Sequence, residues 1–209
     1  MLAAANSNNC RLYGGSGNDT LLAENGKVTL YGEAGNDVIG VCGQSVVYGG
    51  AGNDSVVCFS KYGGVGKDNL QGGNGNDKLY AQSGNNVLNG GAGSDYLEGG
   101  TGTDTLRGGS GRDIIKCGKG VDKIQFYKGD GTDTIQGANK SDILYLYNIS
   151  NIKKQAKFKM SGRNLVMSFT NNKNDSIILS NWSTGGINKF VVGDKTYSLK
   201  LSGGKVAVK

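Results

Sequence analysis

Glycines at fixed places and a single aspartate recur along most of this chain in units of nine residues. The hexapeptides GGSGND, GEAGND, GGAGND, GGVGKD, GGNGND, GGAGSD, GGTGTD and GGSGRD are each followed by three residues with an aliphatic centre. The unit is therefore G-G-x-G-x-D-x-U-x, where U is aliphatic. Position 6 holds Asp19, Asp37, Asp54, Asp68, Asp77, Asp95, Asp104, Asp113 and Asp122, with Asp133 in a last, altered copy. Position 8 runs Leu12, Leu21, Leu30, Ile39, Val47, Val56, Leu70, Leu79, Leu88, Leu97, Leu106, Ile115, Ile124 and Ile135, and is never polar. Decayed copies place Val28, Ser45 and Asn86 where the aspartate belongs. A fixed period of this kind decides the fold before any local propensity does.

Three residues with one inward aliphatic suit a very short strand, because side chains alternate across a strand. Six glycine-rich residues suit a reversal through positive φ, which glycine adopts without a Cβ penalty. Two such units close one flattened coil, and stacked coils make an all-β parallel β-roll with a turn on each edge. Cys58 to Tyr62 reads as a half-repeat shortened to five residues. On that reading one edge carries Asp19, Asp37, Asp54, Asp68, Asn86, Asp104 and Asp122. The other carries Cys10, Val28, Ser45, the short half-repeat, Asp77, Asp95, Asp113 and then Asp133. Position-9 tyrosines, Tyr13, Tyr31, Tyr48, Tyr62 and Tyr80, are expected to stack outward on one sheet.

The aspartates name a ligand. Adjacent coils lie about 4.8 Å apart, and calcium takes oxygen ligands at about 2.3–2.6 Å. An ion midway between two turns reaches both. Magnesium demands shorter distances and strict octahedral geometry. Zinc prefers nitrogen and sulfur, and the chain has no histidine and no C-x-x-C pair among its four cysteines. Without an ion, same-edge carboxylates at that spacing repel by about 3.5 kcal/mol at an effective dielectric of about 20. One inward aliphatic per nine residues is also a thin core, so metal binding should couple to folding. A single G-N-D turn often binds nothing. Eight or more in phase with aliphatics point to several Ca2+ ions.

These copies resemble the RTX repeats of haemolysin-type calcium-binding proteins, over residues 5 to 136. In that family an ion takes carbonyls of positions 2 and 4 and the carboxylate of one turn. From the next turn it takes the carbonyls of positions 1 and 3 and the carboxylate. The resemblance implies a site from Gly73, Gly75 and Asp77 with Gly90, Ala92 and Asp95. It implies another from Gly91, Gly93 and Asp95 with Gly108, Ser110 and Asp113. Gly100, Gly102 and Asp104 would meet Cys117, Lys119 and Asp122, and Gly15, Gly17 and Asp19 would meet Gly32, Ala34 and Asp37. The segment IQFYKGDGTDTIQGANKSDILYLYN resembles the close of such rolls, and MSGRNLVMSFTNNKNDSIILSNW the region that follows them. Members are typically exported unfolded by a type I machine that reads a C-terminal signal, and fold outside the cell. The family is usually acidic and cysteine-poor, with a catalytic or pore-forming domain before the roll. This chain departs on charge and cysteine content, at +6 and with four cysteines, and no catalytic or pore-forming domain is expected within it.

Residues 1–139 hold 11 Lys+Arg against 14 Asp+Glu, net −3, and residues 140–209 hold 12 against 3, net +9. That shift sets an expected boundary: a roll over 1–136 and a small antiparallel β cap over 137–209, the candidate carrier of a type I signal. Alternation of Leu165, Met167 and Phe169, then Ile177 and Leu179, predicts strands there. NNKND reads as one hairpin turn and Gly193–Asp194 as another. The lysines suit a solvated surface whose edges resist aggregation; lipopolysaccharide, membrane or nucleic acid are the alternative partners. No aromatic-basic motif accompanies them, so no nucleic-acid partner is expected. No segment is long and apolar enough to cross a membrane. MLAAANSNN has no basic n-region, so no Sec signal is expected. With no histidine, no G-x-S-x-G and no H-E-x-x-H, the chain is expected not to be an enzyme. The expectation is a secreted, extracellular calcium-binding module, with cell-surface association left open. The alternatives are the RTX part of a secreted enzyme or toxin, or an adhesin. Cys42 and Cys58 are expected on one edge, and no disulfide framework is expected.

Overall fold

The computed structural model of the protein describes residues 2–5, 9–24, 26–59, 66–170, 172–182, 185–202 and 205–209. Tyr62 and the first three residues of GGVGKD lie outside them.

Two 11-stranded sheets face each other. The first runs through Cys10–Ser16, Val28–Ala34, Ser45–Ala51, Asn69–Asn74, Val87–Gly93, Thr105–Gly111, Lys123–Tyr127 and Ile143–Tyr147. The second runs through Leu2–Ala5, Thr20–Ala23, Val38–Val41, Ser55–Cys58, Lys78–Tyr80, Tyr96–Glu98, Ile114–Lys116 and Thr132–Gln136. All these strands pair in parallel with the strand one coil on, for example Leu88 with Leu106 and Leu97 with Ile115. The chain is the parallel β-roll that its period implies. First-sheet strands are longer than three residues because the opening of the turn also pairs, as Gly91 does with Gly109.

Position 8 builds the core. Leu21, Leu30, Ile39, Val47, Val56, Leu70, Leu79, Leu88, Leu97, Leu106, Ile115, Ile124 and Ile135 are all buried between the sheets, in two facing rows with one from each sheet. Each contributes about 2 kcal/mol of transfer free energy.

One expectation fails, and it moves half of the aspartates. Cys58 to Tyr62 does not make a half-repeat. Val46 and Val47 pair with Asn69 and Leu70 in the same sheet, and Ser55 pairs with Lys78. Val46 to Asn69 spans 23 residues where Cys10 to Val28 spans 18, so the five extra residues leave the chain in the same sheet order. A strand-forming half-repeat needs an inward aliphatic, and CFSKY supplies none at the centre of a strand. The Asp19 edge consequently continues through Asp77, Asp95, Asp113 and Asp133, while Asp68, Asn86, Asp104 and Asp122 lie on the opposite edge with Val28 and Ser45. The tyrosine column breaks at the same point. Tyr13, Tyr31 and Tyr48 stack at 4.8 and 5.1 Å, as expected. Tyr80 lies in the second sheet, tilted against Tyr96.

The end of the roll is not a separate layer. Asn172–Leu179 pairs in parallel with Thr132–Gln136, and Lys189–Val192 with Ile143–Tyr147, so both sheets run through the charge shift near Gly137. The antiparallel strands Asn164–Phe169 and Ala156–Ser161 then close one sheet, and Lys195–Ser202 and Lys205–Val208 the other. Leu144, Leu165, Met167, Ile177, Phe190 and Leu199 join the same hydrophobic cluster as the roll. The basic segment is thus an antiparallel cap built onto the roll's own sheets. Gly193–Asp194 forms the expected two-residue hairpin, with Val192 opposite Lys195. NNKND does not form the other as expected: Asn172 already pairs with Phe169.

Candidate metal centre

The turns are joined by their aspartates. On the Asp19 edge each position-6 N–H donates to the carboxylate Oδ1 one coil on: Asp19 to Asp37, Asp37 to Asp54, Asp54 to Asp77, Asp77 to Asp95 and Asp95 to Asp113, at 2.7–2.8 Å. Asp113 continues to Asp133 at 3.3 Å. The Asp122 edge repeats the pattern from Ser45 to Asp68, Asp68 to Asn86, Asn86 to Asp104, Asp104 to Asp122 and Asp122 to Asp142. A second, outer ladder runs the other way at position 5. The N–H groups of Asn36, Asn53, Asn76 and Ser94 donate back to Asn18, Asn36, Asn53 and Asn76 Oδ1. Asparagine in GND thus ties adjacent turns together, which turn propensity alone does not suggest.

Glycine suits positions 2 and 4 for two reasons, although Glu33 and Gln82 also take positive φ at position 2, at 76° and 61°. Gly91 and Gly93 have φ of 117° and 138°. A Cβ there would also overlap the carbonyls of Gly73 and Gly75. The same holds for Gly109 and Gly111 over Gly91 and Gly93, for Gly118 and Gly120 over Gly100 and Gly102, and for Gly35 over Gly17. These position-2 and position-4 carbonyls therefore face the next turn. Position-3 carbonyls face back: Ala34 accepts from Gly17 N and Ala92 from Gly75 N, both at 2.8 Å.

Position 1 frames a cradle. An atom at the Cβ place of Gly14 would stand 2.7 Å from the Gly32 carbonyl and 2.8 Å from Asp19 Oδ2. At Gly99 it would meet Asp104 Oδ2 at 2.7 Å and the Cys117 carbonyl at 2.8 Å. Gly32, Gly49, Gly72 and Gly90 each face the same pair, their own turn's Oδ2 and the next turn's position-1 carbonyl. Asp37, Asp54, Asp77, Asp95, Asp104, Asp113 and Asp122 are buried, and their Oδ2 atoms have no hydrogen-bond partner. Buried polar atoms are ordinarily paired, and charged ones almost always. A donor set of carbonyls and orphaned carboxylate oxygens fits a hard cation of calcium's kind.

Burial away from water pushes Asp95 and Asp104 up to about 7, and Asp54 and Asp122 up to about 6. The N–H bond from the preceding turn opposes the rise, and neighbouring carboxylates add to it, Asp113 and then Asp77 in the case of Asp95. At Asp133 burial and then Asp113 push the carboxyl to about 9.

Of the sequence-predicted pairs, the structure brings together Asp19 with Asp37, Asp77 with Asp95, Asp95 with Asp113 and Asp104 with Asp122. It does not pair Asp54 with Asp68; Asp54 meets Asp77. Sequence reasoning missed Asp142, although D-I-L in KSDILY carries the same D-x-U spacing. It also missed Asp175, which accepts from Gly129 and Gly131 N, and Asp130, which pairs with Arg107 at 2.9 Å. All four cysteines are free.

The chain matches the RTX calcium-binding nonapeptide repeat (4 copies) over residues 13–40, 43–57, 62–97, 89–124 and 127–148, more than half its length. This parallel β-roll with its aspartate-lined turns belongs to that family. A solved structure similar to it is the extracellular lipase LipA from Serratia marcescens, at 21% identity and a TM-score of 0.43. The match covers 78% of this chain and 36% of the lipase, so the chain spans about a third of that protein's length. No curated protein sequence matches the chain.

Proposed function

We propose that the chain is a secreted, non-catalytic module that binds several calcium ions between successive turns and folds as it does so. The observation that carries this reading is the set of buried carboxylate oxygens without partners, those of Asp37, Asp54, Asp77, Asp95 and Asp104 each beside a carbonyl of the next turn. Gly15, Gly17 and Asp19 with Gly32, Ala34 and Asp37 would hold one ion. Gly73, Gly75 and Asp77 with Gly90, Ala92 and Asp95 would hold another, and Gly91, Gly93 and Asp95 with Gly108, Ser110 and Asp113 a third. On the opposite edge Gly100, Gly102 and Asp104 with Cys117, Lys119 and Asp122 would hold a fourth. Bound calcium supplies positive charge that neutralises paired carboxylates. The chain's own residues do the positioning, through the Asp and Asn ladders. Because the ladder charges repel when no ion is bound, the metal-free chain should lack most of its β structure.

Circular dichroism in chelator should show little β signal, millimolar calcium should restore it, and magnesium should not. Full β structure in chelator would refute coupled folding. Secretion rests on the family's usual habit. The chain should appear in the medium of a host carrying a matching type I exporter and be retained when the exporter is deleted; release without it would remove that part of the reading.

A further inference from the structure

On the Asp122 edge, position 1 is not always glycine. Gly99 leaves its cradle open beside Asp104. Ala23, Val41 and Ala81 fill theirs with apolar atoms. Cys58 and Cys117 stand at the same place in their turns and put a thiol there, both buried. The two thiols differ in their surroundings. Cys58 faces the carboxylate of Asp68, whose oxygens are not among the unpartnered ones. Cys117 is fully buried, and its Sγ lies within 4.8 Å of carboxylate oxygens of both Asp122 and Asp142, which lie equally close to each other. Asp122 is 0% exposed, yet its Oδ2 has no hydrogen-bond partner, the thiol included. Asp142 is held in place from behind. Its Oδ2 accepts from Asn139 N and Nδ2 at 2.7 and 3.0 Å, and its Oδ1 from Asp122 N at 2.8 Å. Supporting bonds of this sort orient metal-binding carboxylates.

A sulfur in the cradle changes the ion that suits it. Calcium takes oxygen only. Thiolate favours softer divalent ions, and zinc accepts Cys sulfur and Asp oxygen in one shell. We propose that the last cradle on this edge, between the turns 117–122 and 137–142, takes a thiophilic divalent cation of the zinc class in place of calcium. Its ligands are Cys117 Sγ and the carboxylates of Asp122 and Asp142. On coordination the thiol gives its proton to solvent, and the ion pairs the orphaned Asp122 oxygen. The site is a departure from the oxygen-only cradles of the same edge, and it does not depend on how those are filled.

The test uses the full chain, saturated with calcium, freed of transition metals and titrated with Co2+. One sulfur-to-cobalt charge-transfer band should saturate at one equivalent. Cys58→Ser should keep the band and Cys117→Gly should lose it. Native mass spectrometry should then find one more calcium on Cys117→Gly than on the unaltered chain, since glycine reopens the cradle as at Gly99. If Cys117→Gly does not hold its sheet signal, Cys117→Ser must show the same loss of the band. No band in the folded unaltered chain, a band that survives loss of the Cys117 sulfur, or equal calcium counts above zero would overturn the proposal. A chain that takes up no calcium at all would overturn the calcium reading instead, and the cobalt band would still decide this one.

Discussion

Asp95→Ala will raise the calcium concentration needed for folding by at least about tenfold, and Asp19→Ala will raise it less. Asp95 belongs to two junctions. It accepts the N–H of Asp77 and donates its own N–H to Asp113. Removing its carboxylate leaves the buried Asp77 N–H without a charged acceptor, a loss of about 1.5–3 kcal/mol, and strips a charged ligand from two cradles. Asp19 is the first aspartate of the ladder, and its N–H donates to Asp37. Val28→Asp should add little affinity, because its neighbours in the column, Cys10 and Ser45, are not carboxylates. Calcium titrations followed by calorimetry would compare the three variants. The same measurement checks which turns are adjacent. Asp54→Ala and Asp77→Ala should be non-additive by about 0.5–3 kcal/mol, as residues in one network are. Asp54→Ala and Asp68→Ala should add, since these residues lie on opposite edges. Coupling between Asp54 and Asp68, or equal losses for Asp95→Ala and Asp19→Ala, would contradict the ladder.

That pairing of Asp54 with Asp77 marks where reading the sequence stopped being enough. The period alone predicts the roll, the inward rows between Leu21 and Ile135 and the facing of most aspartates, because a strict repeat leaves one way to bury its aliphatics. Five residues after Ser55–Cys58 have two readings of equal length, a shortened half-coil or a longer turn. The choice swaps edges for everything downstream. The deciding signal was in the chain: no aliphatic stands between Val56 and Leu70 at the inward place, so no strand there could join the core. Asp142 was legible by the same rule, through Leu144 two residues on, but the charge shift beside it suggested a boundary. The two sheets ignore that shift because a sheet extends wherever backbone pairing and an inward aliphatic continue. Surface lysines do not enter that choice. The role of position 5 was not legible, since an outward asparagine looks the same whether it only turns the chain or also bonds the next coil. Nor was the unequal setting of Cys58 and Cys117, which depends on which carboxylate each thiol reaches.

Acid and calcium should act on this roll with opposite pH slopes. In the ion-free fold Asp95 and Asp104 bind a proton up to about pH 7, and Asp54 and Asp122 up to about pH 6. In the unfolded chain the same groups titrate near 3.9. Between about pH 4 and 7 the folded chain therefore holds more protons than the unfolded one, so its stability rises as pH falls through that window and gains nothing further below it. The physical cause is that protonation removes buried charge and mutual repulsion, which calcium otherwise offsets. In metal-free buffer the β signal should accordingly grow from pH 8 to pH 5. Calcium binding needs the same carboxylates ionised, so its affinity should fall over that interval. For a ligand titrating near 7, the fall from pH 7.5 to 5.5 is at least about tenfold. At pH 6 each ion bound should release protons, detectable as binding heats that change with the ionisation enthalpy of the buffer. Circular dichroism on protein stripped by a chelating resin avoids the pH dependence of a soluble chelator. A metal-free β signal that shrinks on acidification, or a calcium affinity unchanged from pH 7.5 to 5.5, would show that these carboxylates are not the buried, unneutralised groups the ladder places between its turns.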